Sequence, residues 1–379
     1  MMVVDKTCGF LPRLESLRGL AAVSVVGYHV YGQFIDTNVT GMAPVVMFFV
    51  LSGFVLARSL DKNSNPFDFL RHRVFRLVPA AAAVVVLLTF LYLQFGFFVG
   101  FQPRYDVINV ILNALMIRND INGVMWSLTV EGFATPLILW TFLTFRKWGA
   151  IPLLVLTAVL FGLSFVGPYV HLLGGFTNLA PLYAFVVGVM LHFRGRQLVE
   201  KLTPNSEAIL AVAAIALLCF CGSKKQTASI IMLECASSAT LVMIIAFRDA
   251  LDMFRILDTA VVRTYGRISY SFYLLHPIGM AVAIRTIGIN SLPPSIAIVA
   301  TTALAVAITT PMAWLSWRYI EVPFIAFGKW FDFGERPSAT PDHTNFGSAA
   351  LERDTLEVQP IVGGAFSVAS GPRNAKLGP

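Results

Sequence analysis

Long apolar stretches separated by short polar turns occupy most of this chain, from residue 17 to residue 327. A helix needs about 20 mostly apolar residues to cross the hydrocarbon core of a bilayer. Ten stretches meet that requirement, and no block of soluble character interrupts them. The pattern predicts an all-α integral membrane protein with about ten transmembrane helices.

Turn residues and charges mark the ends of these stretches. No charge lies between Arg76 and Arg104, where we place the third helix, and the uncharged run between Lys147 and Arg194 is long enough for two helices broken near Gly167. A polar, amphipathic stretch at 102–123 precedes the fourth helix. The other predicted spans are 15–35, 42–59, 126–145, 207–222, 227–247, 267–287 and 295–317.

Lysines and arginines concentrate on one side of the predicted membrane. Because ten crossings place both termini on the same side, the positive-inside rule predicts that both termini are cytoplasmic. The clusters on that side lie at 6–18, 58–76, 146–147, 194–201, 248–267 and from 318 onward. The other side carries only Arg104, Arg118, Lys224, Lys225 and Arg285.

Composition changes after the last apolar stretch. Residues 333–379 are rich in Pro, Gly, Ser, Asp and Glu and have no sustained hydrophobic period, which is typical of a disordered segment. We therefore expect a membrane domain over residues 1–332 and a disordered cytoplasmic tail over residues 333–379.

Overall composition agrees with a bilayer protein and excludes some functions. The chain is 56% hydrophobic and 13% charged, whereas soluble domains are roughly 25% charged. The net charge of +7 lies in the topological clusters, so nucleic-acid binding is not expected. The four cysteines include no Cys-x-x-Cys pair, so neither a disulfide framework nor a metal site is predicted.

Ionisable residues inside predicted spans are costly and tend to mark function. Arg18 and His29 are eleven residues apart, which places them on one face of the first helix, about 16 Å apart along its axis. This geometry suits a long anionic donor with a phosphate on Arg18 and a reactive end at the imidazole. From spacing alone, the simpler explanation is an interfacial anchor at Arg18 and a structural His29.

Other polar groups also have two explanations. Arg73 and Arg76, at the cytoplasmic mouth of the third helix, suit phosphate binding or plain topology equally well. Glu131 is predicted in the outer half of the bilayer, as is His29, so we expect the carboxylate to orient the imidazole or stabilise its charged form. A structural inter-helix contact is the alternative. Glu234 fits structural polar packing, and the role of His276 stays open.

Six motifs occur in order between residues 10 and 328. The first helix carries Leu14-Glu-Ser-Leu-Arg18-Gly-Leu-Ala, with His29 after ten intervening residues. The others are Phe48-Phe-Val-Leu-Ser52-Gly53-Phe, the Arg73 and Arg76 run ending in Pro79, Trp126-Ser-Leu-Thr-Val-Glu131, Gly266-Arg-Ile-Ser-Tyr-Ser-Phe-Tyr-Leu-Leu-His276-Pro, and Arg318-Tyr-Ile-Glu321-Val-Pro323. Together they resemble the acyltransferase-3 family of membrane acyltransferases, whose members O-acylate bacterial surface glycans, antibiotics and related acceptors.

The resemblance implies a chemistry. It implies that His29 is the essential imidazole, as a base toward the acceptor hydroxyl or as a transient acyl carrier, with Glu131 as its catalytic partner. It implies that Arg18, Arg73 and Arg76 help bind an acyl-coenzyme A donor, most often acetyl-coenzyme A, and that no cofactor is bound permanently. The implied acceptor is exopolysaccharide, lipopolysaccharide O-antigen or a lipo-oligosaccharide. The implied location is the bacterial inner membrane, near polysaccharide-synthesis machinery.

Some relatives carry an SGNH-type hydrolase domain after the last helix, whereas a short polar tail follows here. We therefore expect this protein to complete transfer in its membrane domain or to pass the acyl group to a partner. Two other functions fit the sequence. One is a transporter or flippase for a lipid-linked saccharide, and the other is an acyl-relay subunit for a separate transferase. Neither the acceptor nor the acyl chain length follows from the residues.

Overall fold

A computed structural model describes residues 11–35, 41–100, 103–166, 181–248, 252–288 and 292–330. Over these ranges the chain is all-helical, as predicted, with twelve α-helices. They are α1 (Pro12–Phe34), α2 (Met42–Lys62), α3 (Pro66–Phe95), α4 (Val107–Ala114), α5 (Trp126–Trp148), α6 (Ile151–Val166), α7 (Leu182–Val199), α8 (Pro204–Gly222), α9 (Ala228–Phe247), α10 (Ala260–Ile287), α11 (Pro294–Ser316) and α12 (Val322–Trp330). The tail predicted at 333–379 lies outside the described residues.

Each of the ten predicted segments corresponds to one long helix, and α4 and α12 are short additions. Six stretches of the described chain are long and apolar enough to cross a membrane: Met42–Lys62, Pro66–Phe95, Gly123–Trp148, Pro204–Gly222, Ala228–Phe247 and Pro294–Trp330. Helices α1, α7 and α10 are as long, but polar and charged residues lower their hydropathy. The figure of ten crossings therefore stays a prediction, with six spans supported by composition.

Local sequence explains where the helices begin and end. Asn65 caps α3 by accepting the backbone N–H of Phe67 at 3.0 Å, and Pro66 occupies the first turn, where its missing N–H costs nothing. Thr203 and Ser206 form a reciprocal capping box at the start of α8. Gly96 ends α3 in the left-handed conformation, with φ of +64°, which glycine adopts without strain.

Two glycines bring α1 and α10 into backbone contact. A Cβ on Gly19 would overlap the backbone nitrogen of Gly266, and a Cβ on Gly266 would lie 2.6 Å from the Glu15 carbonyl oxygen. Small residues allow membrane helices to approach this closely. The same sequence separation of 247 residues recurs at the contact of His29 with His276. The two helices are therefore parallel, as an alternating ten-pass chain requires of its first and ninth spans.

The last residues before α5 are buried in the bundle: Ile121, Asn122, Val124 and Met125. Ile121 and Met125 have no exposed surface. The amide of Asn122 donates to the Leu274 carbonyl at 2.9 Å, which satisfies a polar group that has no access to water. Helix α5 therefore begins within the bundle, beside the middle of α10.

Candidate active site

Two histidines on α1 and α10 form an imidazole pair, His29 and His276. Nδ1 of His29 lies 3.1 Å from Nε2 of His276, and the ring centroids are 5.2 Å apart. The Nδ1 of His276 lies 2.6 Å from the carbonyl oxygen of Tyr273. His276 has no exposed surface, so its two polar atoms need these partners. The residue whose role the sequence left open thus contacts the predicted catalytic imidazole.

A glycine lies beside the other edge of the His29 ring. Gly41 precedes α2 with a φ of +68°, in the left-handed region that favours glycine. A Cβ at this position would lie 3.5 Å from Cδ2 and 3.6 Å from Nε2 of His29, and 3.2 Å from Cβ of Tyr28. Gly41 therefore lies on the Nε2 side of the imidazole, and its backbone conformation is what favours glycine there.

A second group, the charged layer, consists of Arg18, Ser52, Arg73, Arg76 and Glu131. Arg73 donates through Nη2 to Oε1 of Glu131 at 2.6 Å, and the Ser52 hydroxyl donates to the same oxygen at 2.8 Å. All three side chains are buried. Opposite charges that leave water require this kind of close, hydrogen-bonded pairing. Glu131 is thus held by α2 and α3.

The remaining two arginines of the charged layer differ from Arg73. In the described part of the chain, neither Arg18 nor Arg76 makes a hydrogen bond or a short ion pair. Nε of Arg18 is buried without a hydrogen-bond partner there, as is Nε of Arg73. Both lie within electrostatic range of Glu15 and Glu321. Buried donors normally have partners. An anion that reaches this position would find two guanidinium groups with unused donors.

A small cavity of about 30 Å³ lies against the charged layer. Arg18 and Glu131 line it together with Phe48, Ser127 and Tyr273. The backbone carbonyl of Tyr273 binds His276. Tyr273 therefore connects the cavity wall to the imidazole pair.

The expected contact between Glu131 and His29 is not made, since the carboxylate of Glu131 bonds to Arg73 and Ser52 within the described chain. Ser127, one turn before Glu131, donates to the Tyr273 hydroxyl at 2.8 Å. Glu131 thus lies one turn nearer Arg18 than that contact, whereas His29 lies beside His276. The sequence could not show which side chains the carboxylate of Glu131 meets, because these partners lie on α2 and α3.

Glu234 and the described cysteines lie outside the charged layer and the imidazole pair, and the structural role expected of Glu234 stays a prediction. Glu234 is fully buried and accepts from the Gln226 amide at 3.3 Å. The described cysteines, Cys219, Cys221 and Cys235, are free. In the ranges that the structure describes, no cluster of three potential metal ligands occurs.

Sequence reasoning missed Tyr273, and it did not assign Ser52 or His276 to a contact. A signal for His276 was present, because Gly19 precedes His29 by the same interval as Gly266 precedes His276. Two parallel helices that touch at the glycines must also bring the histidines together. That signal can be used only once the helix pairing is known.

The fold and the site define a multi-pass membrane protein with arginines and a histidine pair in its interior. The profile of the acyltransferase-3 family, described as an acyltransferase domain, matches residues 11–317, so the chain belongs to this family. The resemblance recognised from the motifs is confirmed, and membership implies a membrane enzyme that transfers an acyl group. No curated protein and no solved structure matches the chain.

Proposed function

We propose that the protein transfers an acyl group, acetyl being the simplest, from acyl-coenzyme A to a carbohydrate hydroxyl. The acceptor is a saccharide of the exopolysaccharide, lipopolysaccharide O-antigen or lipo-oligosaccharide class. The observation that carries the proposal is the buried Nε of Arg18, which has no hydrogen-bond partner among the described residues and lies at a cavity whose lining includes Tyr273, the residue that binds His276. An unused guanidinium N–H at the cavity and an imidazole pair beyond Tyr273 suit an anionic acyl donor with a reactive terminus.

Arg18 and Arg76 are the proposed ligands of the donor phosphates, since both have unused hydrogen-bond donors. Arg73 acts differently, because its Nη2 is committed to Glu131. It adds positive potential to the donor site while it holds the carboxylate at the cavity wall. Arg18 and His29 are separated by about 16 Å along α1, a distance that the extended arm of the donor has to cover.

His29 is the proposed catalytic imidazole. In the direct route, its lone pair accepts the acceptor's hydroxyl proton while that oxygen attacks the thioester carbonyl. The carbon–sulfur bond then breaks, and the leaving thiolate takes the proton from the imidazolium. In the covalent route, the imidazole attacks first and passes the acyl group to the hydroxyl. Both routes end in an ester and a free thiol.

Membrane placement completes the proposal. With ten crossings and cytoplasmic termini, the charged layer faces the cytoplasmic supply of donor, and the imidazole pair lies nearer the outer side, where an exported or lipid-linked saccharide is found. The proposed location is the bacterial inner membrane, beside polysaccharide-synthesis machinery.

Purified protein tests the proposal directly. Wild-type protein in detergent, given acetyl-coenzyme A and a saccharide acceptor, should release free thiol and form an O-acetyl ester. His29→Ala should lower the rate by at least about a hundredfold, the usual contribution of a positioned acid–base group. His192→Ala is the matched control, because His192 pairs with Asp61 away from the site.

The outcomes separate the rival functions. A saccharide flippase predicts no thiol release, and an acyl-relay subunit predicts a stable acyl-His29 adduct without acceptor modification. Equal surface-glycan acetylation in wild-type and His29→Ala strains, at matched protein levels, would overturn the proposal.

A further inference from the structure

We propose that His276 is a positioning residue that fixes the proton of His29 on Nδ1, so that Nε2 carries the reactive lone pair. The inference rests on the proposed function for its kinetic consequence. Its structural content, the tautomer of His29, is independent of which group is transferred and of whether His29 acts as base or as acyl carrier.

The Tyr273 carbonyl sets the direction of the hydrogen bonds that join His29, His276 and Tyr273. A carbonyl oxygen only accepts, so the 2.6 Å contact with Tyr273 requires the proton of His276 on Nδ1. A neutral His276 then presents a lone pair on Nε2. The atom 3.1 Å away, Nδ1 of His29, must be the donor. His29 is therefore protonated on Nδ1, and its Nε2 holds the lone pair.

Burial supports the neutral form of His276. The ring has no exposed surface, and its hydrogen-bond partners in the described chain are the Tyr273 carbonyl and the His29 ring, neither of which is an anion. A charged group in such a position costs far more than a neutral one. Both ring nitrogens of His276 are used, so the ring cannot rotate without losing a contact.

The next residue explains why the Tyr273 carbonyl is available. In an α-helix that carbonyl accepts the N–H of the residue four positions later, which is Pro277, and proline has no N–H. Pro277 thus leaves an unsatisfied carbonyl beside His276, and the imidazole satisfies it. His276 and Pro277 therefore act together. Pro277 leaves the Tyr273 carbonyl free to accept, and the bond to that carbonyl fixes the proton of His276 on Nδ1, so that Nε2 of His276 accepts from His29.

The geometry of the crossing holds the pair in place. Because α1 and α10 touch at Gly19 and Gly266, the two helices are kept in one register up to the histidines. On the opposite side of the His29 ring, Gly41 lies beside Nε2. The lone pair therefore points to the side of the ring that faces away from His276.

Nitrogen NMR of protein labelled with ¹⁵N in its histidine rings tests the tautomer without any reaction. The His29 signals are identified by their loss in His29→Ala. We expect a protonated Nδ1 and a pyridine-like Nε2 in the wild type. His276→Phe, which removes the acceptor, should abolish this preference, and His276→Gln should keep it, because the amide oxygen can accept from Nδ1. A wild-type His29 protonated on Nε2 would overturn the inference, as would a tautomer unchanged in His276→Phe.

Kinetics test the consequence. His276→Phe should lower kcat by roughly ten- to a hundredfold, the lower part of the range for proton-transfer catalysis, with little change in KM for the donor. His276→Gln should restore most of kcat. Pro277→Ala returns an N–H to the Tyr273 carbonyl, so it should give an intermediate kcat in a fully folded protein.

Folding and function are controlled separately. Size-exclusion profiles and thermal melts identify variants that fail to fold. If His276→Phe fails to fold, the kcat of Pro277→Ala relative to wild type tests the positioning role instead, and an unchanged kcat would contradict it. If wild-type protein transfers no acyl group, the proposed function fails, and the NMR result still decides the tautomer. Equal kcat for His276→Gln and a folded His276→Phe would contradict the positioning role.

Discussion

The charged layer and the imidazole pair are about three turns apart along α1, yet they are stabilised by different means. In the charged layer, Glu131 is neutralised by Arg73 at 2.6 Å and bonded by Ser52 at 2.8 Å. In the imidazole pair, two rings and a carbonyl form a directed chain of hydrogen bonds. The first depends on charge balance, and the second depends on the positions of protons.

This difference separates stability from reactivity. Removal of one charge from a buried ion pair leaves the other without compensation, which is costly for folding. Removal of one acceptor from an uncharged series of hydrogen bonds lowers the free energy of unfolding by only about the net value of one hydrogen bond, roughly 1 kcal/mol. Substitutions in the charged layer should therefore mainly lower the free energy of unfolding, and substitutions in the imidazole pair should mainly lower kcat.

The largest expected effect is on stability in the charged layer. Glu131→Ala leaves Arg73 as an uncompensated buried cation and should destabilise the protein by about 3–5 kcal/mol. Thermal or denaturant unfolding in detergent measures it. The double variant Glu131→Met with Arg73→Met removes both charges and should recover most of the loss. Equal stability of single and double variants would show that charge balance is not what holds this layer.

Arg18 should behave in the opposite way, because it has no partner to abandon. Arg18→Met keeps the apolar packing and removes unused donors, so stability should stay the same or rise. The loss of charge-assisted hydrogen bonds to the donor, about 1.5–3 kcal/mol, predicts a KM for acyl-coenzyme A raised by roughly ten- to a hundredfold. Arg73→Met is the comparison, since it should destabilise. A raised kcat/KM or an unchanged KM in Arg18→Met would contradict a donor role.

The helix crossing supports both regions at once. Gly19→Ala places a methyl group against the backbone of Gly266, and such overpacking costs about 1–3 kcal/mol. We expect lower stability together with lower kcat, because α1 carries both Arg18 and His29. Gly27→Ala is the matched control on the same helix, where a Cβ would meet no atom within 4 Å. If the two variants are equally active and stable, the close crossing does not position the site.

The smallest effect is expected at the surface, in the ion pair of Arg13 with Asp258 at 2.6 Å. The hydrogen bond from Arg13 holds the pKa of the Asp258 carboxyl below its ordinary value. The ion pair contributes less than about 1 kcal/mol to stability, as expected for a solvent-accessible pair. This contribution is present above the ordinary aspartate pKa, and it is lost as the pH falls through the lowered pKa of Asp258 in the folded protein.

Thermal melts of Arg13→Ala over a pH series measure that contribution. The difference from wild type should shrink toward acidic pH. In an Asp258→Asn background, the effect of Arg13→Ala should no longer depend on pH. A pH dependence that persists there would show that the Asp258 carboxyl is not its source.

Much of the fold could be predicted from local pattern, since each predicted apolar segment corresponds to a long helix. The partners of Glu131 could not, because Ser52 and Arg73 lie on other helices, and the structure replaces the expected contact with His29 by bonds to these two residues. Contacts between helices depend on long-range packing, which hydropathy does not report.

The sequence by itself determined the helices and the family, and it pointed to candidate residues for the chemistry, because hydrophobic length and motif order are local properties of the chain. Only the tertiary structure decided which of those residues meet. Helices α1 and α10 are separated by more than 200 residues, yet the Gly19 and Gly266 contact sets them in register and brings His29 to His276. The pairing of distant helices is a property of the packed bundle, and it sets the hydrogen bonds that reach the proposed catalytic imidazole.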